Sequence, residues 1–266
     1  CKGGRLMSKV FLFDLDGTLC KSRKKIKEDM INILCRANKG VEIGILTGSD
    51  LDFLKEQCEE LFVKLSYSNK VYAMACNGTK SFEVTKKNDH PEYKLIKEES
   101  IETFLGAEDF SDLMKELIFM QADLVTKYLI PLTGNFITCR GSTINWCPIG
   151  RGANDKQREF FIKSDKDLGI RAEQIRLLKE FIKEADINLV ANIAGDTSFD
   201  LYPEGWDKTY AMQFFPNREV FFWGDRMHPD GNDYTMHLLL KDASFAIKDP
   251  EDTANSVKKL LDSLSL

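Results

Sequence analysis

The sequence predicts an α/β protein, a parallel-sheet core domain interrupted by an inserted α+β domain. Three observations lead there. Short β-branched and aromatic runs at residues 9–13, 41–46 and 71–75 each end in polar residues. Helix-spaced segments alternate with them, as a parallel sheet with crossover helices requires. After a long Lys- and Glu-rich middle stretch, the same pattern returns at residues 219–225.

Residues 9–13 read as a buried parallel strand, which puts Asp14 at a strand tip. Between residues 26 and 39 the apolar positions Ile26, Met30, Ile33, Leu34 and Ala37 recur at helical spacing, and Gly40 stands where a helix stops. Residues 41–46 form the second strand and end at Thr47-Gly48-Ser49-Asp50, after which residues 50–62 are helical. The third strand, residues 71–75, ends at Cys76-Asn77-Gly78. The middle segment carries helical patterns over 109–127, 157–161 and 172–185 and short strands over 136–140, 144–147 and 188–194. Residues 219–225 and 243–247 resume the first domain. The boundaries expected are therefore 1–85 with 203–266 for the core and 86–202 for the insertion.

Of the 266 residues, 43% are hydrophobic and 30% charged, enough apolar surface to bury a core and too much for a disordered chain. A net charge of -5, with cations scattered among acids, argues against a nucleic-acid partner. No apolar run approaches the ~18 residues that span a bilayer, so no membrane partner is expected. The seven cysteines are irregularly spaced and lack a CxxC pair, which suits free thiols in a reducing, cytoplasmic compartment. The three histidines are dispersed, so no zinc site is argued. Trp146, Trp206 and Trp223 read as packing residues. Met7 reads as the natural first residue, with Cys1 to Leu6 an expression scar.

The chemistry centres on Phe13-Asp14-Leu15-Asp16-Gly17-Thr18. Phosphoryl transfer between hydroxyls needs an in-line nucleophile, a cation that spreads charge over the phosphoryl oxygens, and a proton carrier. In a tight turn after a strand, Asp14 suits the nucleophile and Asp16 the proton shuttle. A hard cation would take an Asp14 oxygen, a backbone carbonyl near Asp16 and further acids, and Mg²⁺ fits because it accepts few carboxylates and keeps waters. Asp225, after a Phe-Phe-Trp strand, is the natural further ligand, and Asp233 in Gly231-Asn232-Asp233 stands close behind. A lone DxD after a strand serves equally well as a turn acid or helix cap. Thr47 and Ser49 suit either phosphoryl-oxygen binding or capping of the helix that follows.

The string Asp14-Leu15-Asp16-Gly17-Thr18 resembles the first motif of the haloacid dehalogenase superfamily, whose core is Rossmann-like. Further motifs follow in order: Thr47-Gly48-Ser49, Lys208 in Gly205-Trp206-Asp207-Lys208, and Gly224-Asp225 with Gly231-Asn232-Asp233. This resemblance makes Lys208, otherwise an ordinary surface lysine, the partner of the aspartates. A lysine there is expected to lower their pKa values and keep the nucleophile ionised.

In the insertion, Arg140 precedes Ile144-Asn145-Trp146-Cys147-Pro148-Ile149-Gly150-Arg151, and Arg158 lies seven residues on. Ser198-Phe199-Asp200 then precedes Tyr202-Pro203-Glu204-Gly205-Trp206-Asp207-Lys208. These strings resemble the eukaryotic-type phosphomannomutase family, with a type-IIB cap, over essentially the whole chain from Lys9. The resemblance implies that Arg23, Arg140, Arg151, Arg158, Ser198 and Asp200 bind sugar phosphate. It also implies Mg²⁺, a hexose 1,6-bisphosphate activator, hexose monophosphate substrates and a homodimer formed through the cap. The implied activity interconverts mannose 6-phosphate and mannose 1-phosphate for GDP-mannose synthesis. Arginine suits this role because a distal phosphate dianion takes bidentate guanidinium partners, which are blind to the C2 epimer that separates mannose from glucose.

The chain departs from the family pattern in three places. Cys76 stands where relatives have Glu, Thr47 where they have Gly, and Leu238-Leu239-Leu240-Lys241 replaces an acidic loop, which argues against a peripheral second cation. A sugar-phosphate phosphatase would use the same aspartates with water as acceptor. A non-catalytic binding protein on this scaffold is disfavoured because Asp14, Asp16, Lys208 and Asp225 are all kept.

Overall fold

The computed structural model describes residues 8–229 and 231–266, so the reading of Met7 and the six residues before it lies outside them. In chain order, β1 (Lys9–Asp14), α1 (Glu28–Ala37), β2 (Glu42–Leu46), α2 (Leu51–Lys64) and β3 (Val71–Ala75) give the expected alternation. A hairpin follows that the sequence reading did not contain, β4 (Lys80–Lys87) and β5 (His90–Glu98). Its two-residue turn uses Asn88 and Asp89 at φ 50° and 63°, the left-handed pair that matches the twist of flanking strands.

The middle segment contributes α3 (Ile101–Leu105), α4 (Ala107–Lys127), β6 (Ile137–Cys139), β7 (Ile144–Trp146), α5 (Asp155–Leu168), α6 (Ile170–Glu184), β8 (Val190–Ala194) and β9 (Ser198–Tyr202). A 3₁₀ segment at Lys208–Phe214 leads to β10 (Glu219–Gly224), α7 (Tyr234–Leu240), β11 (Ser244–Ala246) and α8 (Pro250–Ser263). Two compact units result. Unit 1 runs to Glu98 and resumes at Gly205; unit 2 is Glu99–Glu204. The first boundary thus falls later than the 85/86 read from sequence, because β4 pairs antiparallel with β3 and carries β5 into the same sheet. The second falls two residues later, after the Tyr202 end of β9.

The unit 1 sheet has the order β11-β10-β1-β2-β3-β4-β5, parallel as far as β3. Strands β1, β2 and β3 are buried on both faces, which is why they read as continuous apolar runs. One face packs Phe11, Phe13, Ile43 and Ile45 against α1, α2 and α8; the other packs Val10, Leu12, Leu46 and Phe222 against the 3₁₀ segment and α7. Trp223 stacks between Phe13 and Phe245, each at 4.8 Å, and donates its indole N–H to Ser256 Oγ at 2.9 Å. With β1 inside this sheet, Asp14 and Gly224 both end at its C-terminal edge, where open α/β sheets form their ligand crevice.

Unit 2 holds an antiparallel sheet of order β6-β7-β9-β8. Alternation divides its residues. Ile144, Trp146, Phe199 and Leu201 face the core built with Leu113, Leu117 and Leu124 of α4 and Leu178 of α6. Asn145, Ser198 and Asp200 take the opposite face. Helix α5 is longer than the 157–161 pattern: an Asn154–Gln157 capping box starts it and Gly169, at φ 66°, ends it.

Candidate active site

Asp14 is the last residue of β1, and the chain turns immediately behind it. Leu19 N–H bonds the Leu15 carbonyl at 3.0 Å, and Gly17 sits at φ 87°. No side chain fits at Gly17, because a Cβ there would overlap the Asp225 carboxylate. Gly224 is constrained in the same way, its Cβ position lying 2.6 Å from Asp233 Oδ2. The two glycines let three chain segments bring carboxylates together at one strand-end edge.

Carboxylate atoms of Asp14, Asp225 and Asp233 lie within 4.8 Å of one another. Among the described residues this is the one group of three or more such side chains placed to share a metal ion. Lys208 is buried rather than solvated, and its ammonium donates to both Asp14 Oδ1 and Asp233 Oδ1. Thr18 Oγ1 donates to Asp14 Oδ2 at 3.2 Å, and the Arg226 N–H donates to Asp233 Oδ2 at 3.1 Å.

Burial is the dominant influence on Asp14 and raises its pKa to about 7; Lys208 opposes the rise, while Asp233 and Asp225 add to it. Lys208 pulls the Asp14 carboxyl down as expected, but desolvation and two further carboxylates outweigh it, so the net shift is upward. Burial pulls Lys208 downward, yet Asp14 and Asp233 outweigh it and keep the ammonium protonated. Burial, and then Asp233, raise Asp225.

Three carboxylates against one ammonium leave a negative excess, and the buried Asp225 Oδ1 has no hydrogen-bond partner. Both features fit a hard divalent cation with oxygen ligands. Such an ion would be held by Asp14, Asp225 and Asp233 and would neutralise charge on a phosphoryl group.

The Asp16 side chain stands apart from this group. Its Oδ1 accepts from the Arg23 N–H at 2.8 Å and from Gln57 Nε2 at 2.9 Å. Gln57, buried on α2, also reaches the Lys24 carbonyl at 3.3 Å, so it ties Asp16 to the loop carrying Arg23. Arg23 is exposed, at φ 58°. Thr47 is buried and accepts from the Ser49 N–H at 3.1 Å. The cap of α2 is Asp50, whose carboxylate accepts from Phe53 N–H at 3.0 Å, so neither Thr47 nor Ser49 serves that purpose. Leu238 to Leu240 lie in α7.

Within unit 2, Arg140 opens the tight turn between β6 and β7, its N–H bonded to the Thr143 carbonyl at 2.8 Å. Arg151 donates to Asn145 Oδ1 at 3.0 Å, and the Asn145 amide donates to Asp200 Oδ1 at 2.7 Å. Arg158, on the first turn of α5, donates to Thr197 Oγ1 at 3.2 Å. Ser198 and Asp200 lie half-buried on one face of β9. The structure thus joins Arg151 to Asp200 through Asn145 and sets Arg158 on the residue before Ser198. Sequence reasoning missed Gln57, Asn145 and Thr197 as partners. Asn145 carried a signal, a polar residue between Ile144 and Trp146; Thr197 carried none.

Comparison with known proteins agrees with this architecture. The IMP-nucleotidase of Plasmodium falciparum superposes with a TM-score of 0.66 at 12% identity, covering 96% of this chain and 70% of that one. A trehalose-6-phosphate phosphatase of Aspergillus fumigatus gives 0.53 at 18% identity, covering 97% and 93%. At these identities the likeness is one of fold. In sequence, the phosphomannomutase of Dendrobium officinale is 34% identical over 259 residues, 96% of this chain and 95% of that protein. Phosphomannomutase of Arabidopsis thaliana is 33% identical over 253 residues, with 94% and 96% covered. The profile of the eukaryotic phosphomannomutase family matches residues 30–263, and with these relatives it makes the chain a member of that family.

Proposed function

We propose that this protein interconverts mannose 6-phosphate and mannose 1-phosphate through a phosphorylated Asp14. The observation that carries the reading is the buried Lys208 shared by Asp14 and Asp233 beside an unpartnered Asp225 oxygen. In the cycle, a hydroxyl oxygen of a hexose monophosphate attacks phosphorus on Asp14. Asp16 accepts the hydroxyl proton, the phosphorus–Asp14 bond breaks, and hexose 1,6-bisphosphate forms. After the sugar reorients, Asp14 attacks the other phosphoryl group and Asp16 returns the proton to the departing oxygen. Lys208 stays protonated and offsets charge gathering around Asp14. Thr47 and Ser49 hydrogen-bond the transferring phosphoryl oxygens. Asp14, Asp225 and Asp233, with a backbone carbonyl near Asp16, would hold Mg²⁺, which would supply Lewis-acid neutralisation of the phosphoryl oxygens. Arg23 and the unit 2 set of Arg140, Arg151, Arg158, Ser198 and Asp200 bind the sugar phosphate, the arginines taking the distal dianion.

The test supplies purified protein with Mg²⁺, mannose 1-phosphate and catalytic hexose 1,6-bisphosphate. Mannose 6-phosphate is the expected product; inorganic phosphate without isomer would mark a phosphatase instead. Running glucose 1-phosphate in parallel measures the preference at C2.

The same reading includes a homodimer through unit 2. Ile118 and Phe119 on α4, with Leu129 at 89% exposure and Leu132 just beyond the helix, leave apolar side chains in water. Exposed apolar side chains of this kind favour a subunit interface. Light scattering should give a dimer mass, and Phe119→Glu should halve it. The six described cysteines are free thiols, which favours a cytosolic setting.

A further inference from the structure

Gln57 stands on the core-facing side of α2 with Leu54, Cys58 and Leu61, all fully buried, and is itself 4% exposed. An amide gains nothing from such a place unless its polar atoms are used. Its Nε2 meets three points of the loop that follows β1: Asp16 Oδ1 at 2.9 Å, the Lys24 carbonyl at 3.3 Å and Cys20 Sγ at 3.4 Å. Its Oε1 meets no donor among the described residues, so the side chain serves as a donor alone. The backbone adds a fourth tie, the Gln57 carbonyl accepting from the Ile26 N–H at 3.1 Å.

The Asp16 carboxylate is held through one oxygen. Its Oδ1 takes both the Gln57 amide and the Arg23 N–H, and neither bond ends on Oδ2. Two donors on one oxygen fix the direction of the group and leave the other oxygen for a proton. The donors differ in how firmly they are placed. Arg23 is exposed, at φ 58°, a left-handed conformation with a steric cost, whereas Gln57 is set in a packed helix. Cys20 orients the amide further: its thiol donates to the Leu15 carbonyl at 3.6 Å, which leaves the sulfur to accept from Nε2. Gln57 is therefore the rigid member of the pair that holds Asp16.

We infer that Gln57 is a positioning residue for proton transfer: its amide fixes the Asp16 carboxylate while that group takes the proton of the attacking sugar hydroxyl and later returns it to the departing oxygen. This rests on the reading of Asp16 as the proton carrier, and the experiment separates the two. Turnover of mannose 1-phosphate with catalytic hexose 1,6-bisphosphate is compared in the wild type, Asp16→Ala, Gln57→Met and the double variant, with urea midpoints recorded for each. Gln57→Met keeps the length of the side chain and the backbone tie to Ile26 and loses only the donor. Slight misplacement of a proton-transfer group is enough to lower kcat by about tenfold to a hundredfold in Gln57→Met, with KM changed less than kcat. In the Asp16→Ala background the same substitution should change kcat by less than about twofold, because the group it positions is gone. If Asp16→Ala leaves kcat at the wild-type value, the proton-carrier reading itself fails. If Asp16→Ala lowers kcat and Gln57→Met does not, the positioning role is overturned and the carrier reading stands. Equal losses from Gln57→Met in both backgrounds would assign the effect to packing and also overturn the role. A gain in kcat would mean that the amide holds Asp16 out of action, which overturns it too. Gln57→Leu, apolar and of similar size, supplies the same comparison if the Met variant does not fold.

Discussion

In unit 1, Asp14, Asp225 and Asp233 share one buried lysine; in unit 2, Arg151 and Arg158 rest on an amide and a hydroxyl. The first arrangement gathers an excess of carboxylates where Asp14 and Asp233 are buried and Asp225 is partly so. Burial makes that excess costly, and the cost appears as the raised pKa of Asp14 and the unpartnered oxygen of Asp225. The second sets Arg158 half-exposed and Arg151 exposed on the surface of unit 2. Under the proposed cycle, the first would take a cation and then a phosphoryl group, and the second a phosphate dianion.

The severest way to break this comparison is to remove the nucleophile. Asp14→Asn should lower kcat by more than about 10³-fold, because the amide replaces the carboxylate that the proposed cycle phosphorylates. A coupled assay for mannose 6-phosphate formation checks this, and a variant with wild-type turnover would remove Asp14 from its role.

Lys208→Met tests the charge balance itself. The side chain is fully buried between two carboxylates, and its loss strands them in a low-dielectric site. A destabilisation of about 3–5 kcal/mol is expected from urea unfolding without metal. Added Mg²⁺ should recover part of the loss, because a cation replaces the missing charge. An equal loss with and without Mg²⁺ would mean that the carboxylates hold no ion.

The pH dependence of metal binding comes next. Asp14 titrates near 7 in the folded, metal-free chain against 3.8 as an unperturbed group. Between those values the folded form keeps a proton that the unfolded form has released, so this group's contribution to stability falls as pH rises across the window. A cation binds only the ionised carboxylate and must displace that proton. Mg²⁺ affinity should therefore rise by up to about tenfold per pH unit from pH 5 and level off above pH 7. Calorimetric titration at several pH values gives the slope, and a flat profile would show Asp14 already ionised.

How much of this was legible in the sequence depended on whether a feature is local. Strands β1, β2 and β3 were readable because sheets covered on both faces leave continuous apolar runs. Hairpin β4–β5 was not, since Lys80–Lys87 and His90–Glu98 carry charges throughout and their edge position shows only in pairing with β3. Missing that hairpin is what misplaced the first domain boundary. Asp14, Asp16, Lys208, Asp225 and Asp233 stood out as short strings. That Lys208 would meet Asp14 across 194 positions was implied by the family resemblance alone. The direction of the Asp14 shift was misread because burial depth has no sequence signature. Gln57, Asn145 and Thr197 escaped notice for a similar reason. Asn145 broke the apolar run of its strand, but which side chains these buried polar residues meet is visible only in three dimensions.

The smallest expected effect sharpens the difference between binding and structural arginines within unit 2. Arg171 and Asp165 are each mostly buried, with side chains 14% and 12% exposed, and their bond closes the junction of α5 and α6 onto the β8–β9 turn. Arg171→Ala removes a charge-assisted hydrogen bond and a contact to the Gly195 carbonyl. Because the pair keeps some solvent contact, about 1 kcal/mol of stability should be lost, seen as a lower urea midpoint. KM for hexose phosphate should stay at the wild-type value, since Arg171 spends its charge on Asp165. Arg158→Ala should show the reverse, a raised KM with little change in the urea midpoint. If Arg171→Ala raised KM as much as Arg158→Ala, pairing with a carboxylate would no longer separate the two kinds of arginine, and the contrast between neutral and charged acceptors would lose its meaning here.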